Sequence, residues 1–429
     1  MSRSPSTPSA VEIEKTDKTL FGCSLPYAFR ALGHRNFRLF FVGQFVSRTG
    51  FWMQNMAQAW LIYRLTESSL MLGLVAFAGQ VPTLLFGLLA GVVADRFNRY
   101  RVILIALWLA MLQAFVLGIL TMSDLITAWQ VFFLALVAGT IQAFEMPARQ
   151  SFLMEIVGKD DLSSAIALNS TLVNAARILG PALAGLLVAQ FGEGVCFTFN
   201  GCTFLAIIGG FLAMRLPPRV VEPHPAQSTT TFIGEGIRYA LHTPAIRLLL
   251  ILVSMISLLS TPYTVLMPIF AGDILDSGPN GMGLLMGSAG AGAVVGALLM
   301  ARHQGTEQLG RVMAFAFIRF GLGLILFSLS HNFWLSMLVL PLVGSGIMVP
   351  MAATNTLLQT LSPDHLRGRI MSLFFIMFMG APPLSSLLAG FLAPLIGAPL
   401  TVGGTGGLCL LVAAYVFLKL HVLREAQRS

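Results

Sequence analysis

The chain has 429 residues, 56% of them hydrophobic and only 10% charged, with a mean hydropathy of +0.81 and a formal charge of +8. Soluble domains carry about 25% charged residues, so this composition excludes a soluble globular protein and requires an integral membrane one. Apolar runs of about twenty residues select membrane helices over a β-barrel, whose strands are about ten residues of alternating pattern.

Taken in order, the first 25 residues, MSRSPSTPSAVEIEKTDKTLFGCSL, are polar and lack the apolar core of a cleavable signal peptide. They are expected to be a mobile tail, with the first spanning helix acting as the insertion signal. Spans follow near 38–63, 69–93, 102–122, 127–147, 163–190 and 195–214. After the chain's longest polar connection, six more lie near 246–271, 281–301, 312–330, 334–357, 370–396 and 399–420. Turn chemistry marks the breaks, as in RLTESS, FGEG and DSGPNG on one side and DRFNRYR, VGKDDL and SPDHLRGR on the other.

This pattern gives an all-α membrane protein of twelve transmembrane helices in two pseudo-symmetric halves of six. The expected divisions are a cytoplasmic tail 1–35, a first half 36–214, a central cytoplasmic loop 215–245, a second half 246–421 and a cytoplasmic tail 422–429. The halves echo each other: at an offset of 204, Leu153, Asp160, Leu162 and Ile166 fall on Leu357, Asp364, Leu366 and Ile370. LGPALAGLL in span five is likewise echoed by GAPPLSSLLAGFL in span eleven. Weak internal symmetry of this kind marks transporters built from repeats.

Charge sets the orientation. With the N-terminus in the cytoplasm, all of the 26 Lys and Arg except Arg48, Arg64, Arg177 and Arg319 fall on cytoplasmic segments. The outer loops hold Glu67, Asp124, Glu193, Asp273 and Asp276. That asymmetry is the positive-inside rule with both termini inside, so the excess charge is topological and does not point to nucleic acid. The four cysteines, Cys23, Cys196, Cys202 and Cys409, are scattered and form no CxxC; Cys196 and Cys202 are expected to share one helix as small apolar fillers rather than as ligands or a disulfide.

The turn between spans two and three reads GVVADRFNRYR. It resembles the loop motif of the major facilitator superfamily, Gly-x-x-x-Asp-Arg-x-Gly-Arg-Arg/Lys. Gly91, Asp95, Arg96 and Arg99 match it, while Asn98 and Tyr100 depart from it; Asn98 is expected to keep the turn because asparagine tolerates a left-handed backbone. The resemblance implies a fastening in which Gly91 lets a neighbouring helix approach and Asp95 meets the N-terminus of span eleven near Arg369–Ser372 in the outward-open state. In span five, NAARILGPALAGLL resembles the antiporter motif of proton-linked drug exporters at Gly180, Pro181 and Gly185. RNFRLFFVGQFVS, PARQ and LRGRI resemble the subgroup of enterobactin-type exporters. Proton-coupled members carry an arginine inside span four; this chain has none there before Arg149, although Gly139 fits the pattern.

A charge near the bilayer centre costs at least about 2.5 kcal/mol on insertion scales, so each asks for a reason. Arg319 follows Arg311 closely and is expected to reach the cytoplasmic surface as a structural group. Arg48 and Arg177 lie deep in spans one and five, and Gln44, Arg48 and Asn55 share one helix face. Two alternatives stand for these arginines: structural bonds to neighbouring helices, or a cationic central site. Glu145 is expected near the cytoplasmic end of span four, paired with Arg149 at i+4 and serving either structure or proton sensing. Two deep arginines without a deep acid favour an anionic or zwitterionic substrate. Lining groups would be Gln44, Arg48, Asn55, Asn174, Arg177, Tyr263 and Asn355. Gly283, Gly287, Gly292 and Gly296 in span eight are expected to pack against other helices of the bundle.

No histidine lies deep in a span, so metal or acid–base enzymology has no visible residues, and no phosphate loop provides for ATP-driven transport. The expectation is therefore a secondary exporter of a small molecule in the cytoplasmic membrane, working by alternating access without a cofactor. It would be a lipid-embedded monomer with no nucleic-acid partner, and protons would be a candidate coupling ion. Alternatives are an importer or facilitated exchanger of an anionic or zwitterionic solute, a lipid flippase, and, in another class, a transporter-like sensor or membrane enzyme.

Overall fold

The computed structural model describes residues 19–20, 23–24, 27–158, 160–215, 229–302 and 308–428. Most of the N-terminal tail, much of the central loop and part of the turn after span eight lie outside these. A two-residue strand pair, Thr19–Leu20 with Cys23–Ser24, and a short 3-10 turn at Tyr27–Gly33 precede the first long helix. The first six helices are α1 (Arg35–Thr66), α2 (Ser69–Arg96), α3 (Arg99–Met122), α4 (Ala128–Val157), α5 (Leu162–Phe191) and α6 (Glu193–Leu212). Two connecting helices appear where the sequence suggested only polar chain: α7 (Thr229–His242) after α6, and the terminal α15 (Leu420–Arg428). Between them lie α8 (Pro244–Val265), α9 (Met267–Ile269) with a π turn at Phe270–Ile274, α10 (Gly278–Arg302), α11 (Leu309–Leu329), α12 (Phe333–Leu361), α13 (Asp364–Ile396) and α14 (Ala398–Leu418).

Among the described residues, eleven helices are long and apolar enough to cross a membrane. The chain is a multi-pass membrane protein. α1 has 32 residues but is too polar to join that group on composition; four of its polar residues, Gln44, Ser47, Thr49 and Gln54, are buried.

Local chemistry sets the helix starts. Ser68, Asn98 and Asn332 each accept a backbone N–H from the first turn of α2, α3 and α12, and Thr127 closes a capping box with Gln130 at α4. Asn98 therefore does not work as expected: its backbone is extended (φ −66°, ψ 110°) rather than left-handed, and its value is the cap. Proline interrupts less than expected as well. α4 runs through Pro147 to Val157, ten residues beyond the expected end of span four, because membrane helices accommodate a lost backbone bond.

The packing repeats with a period of six long helices. α1 packs on α5 and α6, as the α8 unit packs on α13 and α14. α2 packs on α4 and α10 on α12, while α3 packs on α4 and α6 and α11 packs on α12 and α14. Two extensive pairs join the halves, α2 with α13 and α5 with α10, with slighter contacts of α1 on α9 and α2 on α8. One end of the bundle carries the α2–α3, α4–α5 and α12–α13 turns and is here termed the basic end. The other, with Glu67, Asp124, Glu193, Asp273 and Asp276, is the acidic end.

Candidate functional site

The halves approach closely at the acidic end. A Cβ on Gly73 (α2) would come within 2.9 Å of Gly390 Cα (α13), and one on Gly185 (α5) within 2.8 Å of Pro279 O at the start of α10. Ser69 donates to Gly390 O, and Tyr63 of α1 donates to Asp273 in the π turn, its ring lying against Gly272. Nearer mid-bundle, Gln80 of α2 donates to Ser386 of α13. Glycines make these contacts possible because each puts backbone against backbone. The span-five motif accordingly packs in two directions: Gly180 against Trp52 and Thr49 of α1, and Pro181 and Gly185 against Gly283 and Asn280 of α10. In α10, Gly283 and Gly287 face α5, whereas Gly292 and Gly296 face Pro341 and Ser345 of α12.

At the basic end the arrangement differs. A Cβ at Gly87 or Gly91 would meet nothing within 4 Å, so the close helix approach expected at Gly91 is not made here. The Asp95 side chain is 76% exposed, and its recorded partner is Arg99 at 3.4 Å rather than the start of α13. Arg96 is exposed. Arg99 fastens its own half, donating to Ala94 O at 3.1 Å and to Glu155 of α4 at 2.7 Å. Near the start of α13, Arg369 pairs with Glu235 of α7.

Between these ends lies a cluster of buried charge. Glu145 sits past the midpoint of the thirty-residue α4, not at a span end, because the helix continues beyond Pro147. Its Oε1 is 2.7 Å from Arg149 Nε and its Oε2 accepts from an Arg48 terminal nitrogen at 3.3 Å. Arg48, Glu145 and Arg149 are 14%, 10% and 12% exposed at the side chain. Arg149 Nε is off line for a hydrogen bond despite its distance, so that contact is ionic and the N–H lacks an acceptor. Arg48 Nε donates to Gln44 at 3.3 Å, and its guanidinium lies 5.6 Å from the Phe51 ring centre. Arg177 stacks 5.4 Å from Trp52. The cluster carries two cations to one anion, and the expectation that no acid meets the deep arginines fails for Arg48.

The other expected lining groups scatter. Asn55 is exposed; Asn174 donates back to Ser170 O of its own helix; Asn355 accepts from Gln359. Tyr263 is 5% exposed and packs in the apolar core of the acidic half, so it does not line a polar site. Arg319 is half-buried, with Nε enclosed and without a hydrogen-bond partner. A buried amide network went unanticipated: Asn200 (α6) donates to Gln54 (α1), Gln54 donates to Gln113 (α3), and Gln113 donates to Leu134 O (α4). Amide side chains inside apolar runs were the available signal, since each needs a partner away from water.

The transmembrane secretion effector family, MFS_3, matches residues 27–428. The chain belongs to that family of the major facilitator superfamily. Among its relatives, the Staphyloferrin A transporter of Staphylococcus aureus is 25% identical, covering 88% of this chain and 95% of that protein. The multidrug efflux pump Tap of Mycolicibacterium fortuitum is 28% identical over 79% of this chain and 84% of its own. The enterobactin exporter EntS of Shigella boydii is 25% identical over 92% and 94%. In fold, the chain is similar to an inward-facing bacterial homologue of the lysosomal transporter Spinster, with TM-score 0.64 and 15% identity over 95% and 98% of the two chains. It is also similar to a peptide transporter, POT, with TM-score 0.74 and 16% identity over 92% and 96%. This secretion effector is a membrane transporter of the major facilitator type, and its family and relatives are transporters rather than enzymes.

Proposed function

We propose that this transporter exports a small molecule across the cytoplasmic membrane by alternating access. The observation that carries the direction is kinship along most of the chain with proteins named as an exporter and an efflux pump. α1 is the twelfth span, and burial of Gln44, Ser47, Thr49 and Gln54 inside the bundle supports that reading. Residues 36–214 and 246–421 form the rocking halves, flanked by the cytoplasmic tails 1–35 and 422–429 and joined by the cytoplasmic loop 215–245. The basic end faces the cytoplasm under the positive-inside rule. Close inter-half contacts toward the acidic end, with Gly91 and Asp95 open at the other, match a state that admits substrate from the cytoplasm. Asp95 then re-engages α13 when the basic end closes. The protein works as a monomer in lipid.

Substrate meets the Arg48–Glu145–Arg149 cluster and the Trp52–Arg177 pair, with Gln44, Asn55, Asn174 and Asn355 as further polar contacts. The test uses inside-out and right-side-out vesicles energised identically and offered staphyloferrin A, enterobactin and a cationic dye. Accumulation in the inside-out vesicles, lost in Arg48→Ala, is the expected result. Accumulation only in right-side-out vesicles would make the protein an importer. Unchanged transport in both Arg48→Ala and Arg177→Ala would remove the arginines from the site.

A further inference from the structure

We infer that Glu145 is a resident counter-anion displaced by an anionic substrate, so that substrate binding takes up a proton. The inference rests on the transport reading above and concerns the same site.

The geometry is that of an occupied anion site with donors to spare. Each oxygen of Glu145 meets one guanidinium, Arg149 at 2.7 Å and Arg48 at 3.3 Å. Arg149 Nε has no hydrogen-bond acceptor, and the three side chains together retain one positive charge. A carboxylate or other oxyanion entering between Arg48 and Arg149 would satisfy both cations and the idle N–H. Phe51 under Arg48, with Trp52 beside it under Arg177, offers aromatic faces to a ring attached to that oxyanion. The substrate class is thus an anion, with an aryl carboxylate as the simplest member.

What happens to Glu145 follows from its surroundings. The helices packed on α4 are α1, α2, α3 and α5. Besides Arg48, α1 carries Arg35, Arg38, Tyr63 and Arg64 toward its ends; α2 carries Asp95 and Arg96, and α3 carries Arg99, Tyr100 and Arg101, all at the basic end. α5 contributes Arg177, held over Trp52, and α4 itself carries Glu155 near its end. Among the described residues, the recorded ion pairs of Glu145 are those with Arg48 and Arg149. A buried carboxylate that loses its counter-charges binds a proton rather than remain an uncompensated anion. The substrate anion enters, a proton from water goes to a Glu145 oxygen, and the charge of the site is conserved.

The sign is opposite to antiport, because the proton travels with the substrate. A substrate with two or more negative charges still carries net charge outward, in the direction that an inside-negative potential favours.

The experiment uses purified full-length protein in lipid nanodiscs, with salicylate and staphyloferrin A as probes and a pH indicator in weak buffer. Expected are about one proton taken up per probe bound and an affinity that strengthens up to about tenfold per pH unit as pH falls. In Glu145→Gln both proton uptake and pH dependence vanish while binding tightens, because the competing anion is gone. In Arg48→Gln binding weakens and uptake shrinks, which controls for a merely structural effect of the glutamine variant. Probe binding without proton uptake, or unchanged uptake in Glu145→Gln, overturns the inference. Binding of neither probe overturns the anionic substrate class. Both readouts are equilibrium properties, so they fail separately from the export reading, which depends on the direction of flux in vesicles.

Discussion

The two halves of this transporter share a packing scheme but not an interior. α1 and α8 occupy equivalent places, yet α1 carries Arg48 between Gln44 and Phe51 while α8 has only Arg247, near its start. At the repeat offset of 204 residues, Glu145 and Arg149 of α4 correspond to Val349 and Ala353 of α12, both buried. Repeat symmetry therefore fixes where helices go, and the chemistry has been placed on one side of it. The N-terminal half holds most of the buried charge, and the corresponding positions of the C-terminal half are apolar.

The strongest way to break that contrast is to erase it. Arg48→Leu/Glu145→Val/Arg149→Ala gives the first half the interior of the second. Replacing a buried ion cluster with apolar side chains is neutral or stabilising by about 1–4 kcal/mol, so the variant should insert and melt no lower than the parent. Transport in energised vesicles should fall to background. Retained transport would mean that the cluster only holds α1 against α4.

A smaller effect is expected where the halves are alike. Gly73 and Gly185 make equivalent close contacts, with Gly390 and with Pro279 and Asn280. Leucine at either would force backbones apart at the acidic end, since the opposing atoms belong to main chain and cannot swing aside. Gly73→Leu and Gly185→Leu should each reduce transport about tenfold, the equivalent of about 1.4 kcal/mol, and each should raise labelling of an acidic-end cysteine. Unequal effects would show that the two seals are not equivalent. Asp95→Asn acts at the other end and has no counterpart in this comparison. It should slow transport several-fold at normal expression, because it affects only the state in which the basic end closes.

Much of this was legible. Long apolar runs fixed the helices, and the glycines of spans five and eight pointed to close packing that the structure contains. Some failures share a cause: partners distant in sequence leave no local trace. Arg48 and Glu145 are 97 residues apart, and Arg99 and Glu155 are 56 apart. Pro147 looked like a stop, which moved Glu145 to a span end; its i+4 pair with Arg149 was expected, but its contact with Arg48 was not. Tyr263 carries a hydroxyl, so it was expected at a polar lining, but most of its surface is an apolar ring that the core of the acidic half absorbs. The open Asp95 belongs to one conformation, and no sequence pattern states which conformation is populated.

The smallest expected effect concerns how each interior is fastened. In the N-terminal half, Gln54, Gln113 and Asn200 are 7%, 5% and 2% exposed and tie α1, α3 and α6 through side-chain amides. In the C-terminal half, serines bond across to the backbone of a neighbouring helix, as from Ser288 to Met337 O and from Ser385 to Leu258 O. Both carbonyls lie four residues before a proline, Pro341 and Pro262, which has no N–H to give them, so each serine supplies the bond that its neighbour's helix lacks. A severed amide chain leaves a buried polar group with no alternative. Gln113→Leu should therefore cost about 1–3 kcal/mol, the penalty of stranding Gln54, and Ser288→Ala should fall in the same range, the penalty of stranding Met337 O. Thermal unfolding of the two variants in the same nanodiscs checks this, with transport per folded molecule expected to stay near the parent in both. A negligible loss in either variant would mean that its bond does not fasten the half to which it belongs. Lost transport at unchanged stability would instead place Gln113 in the transport machinery.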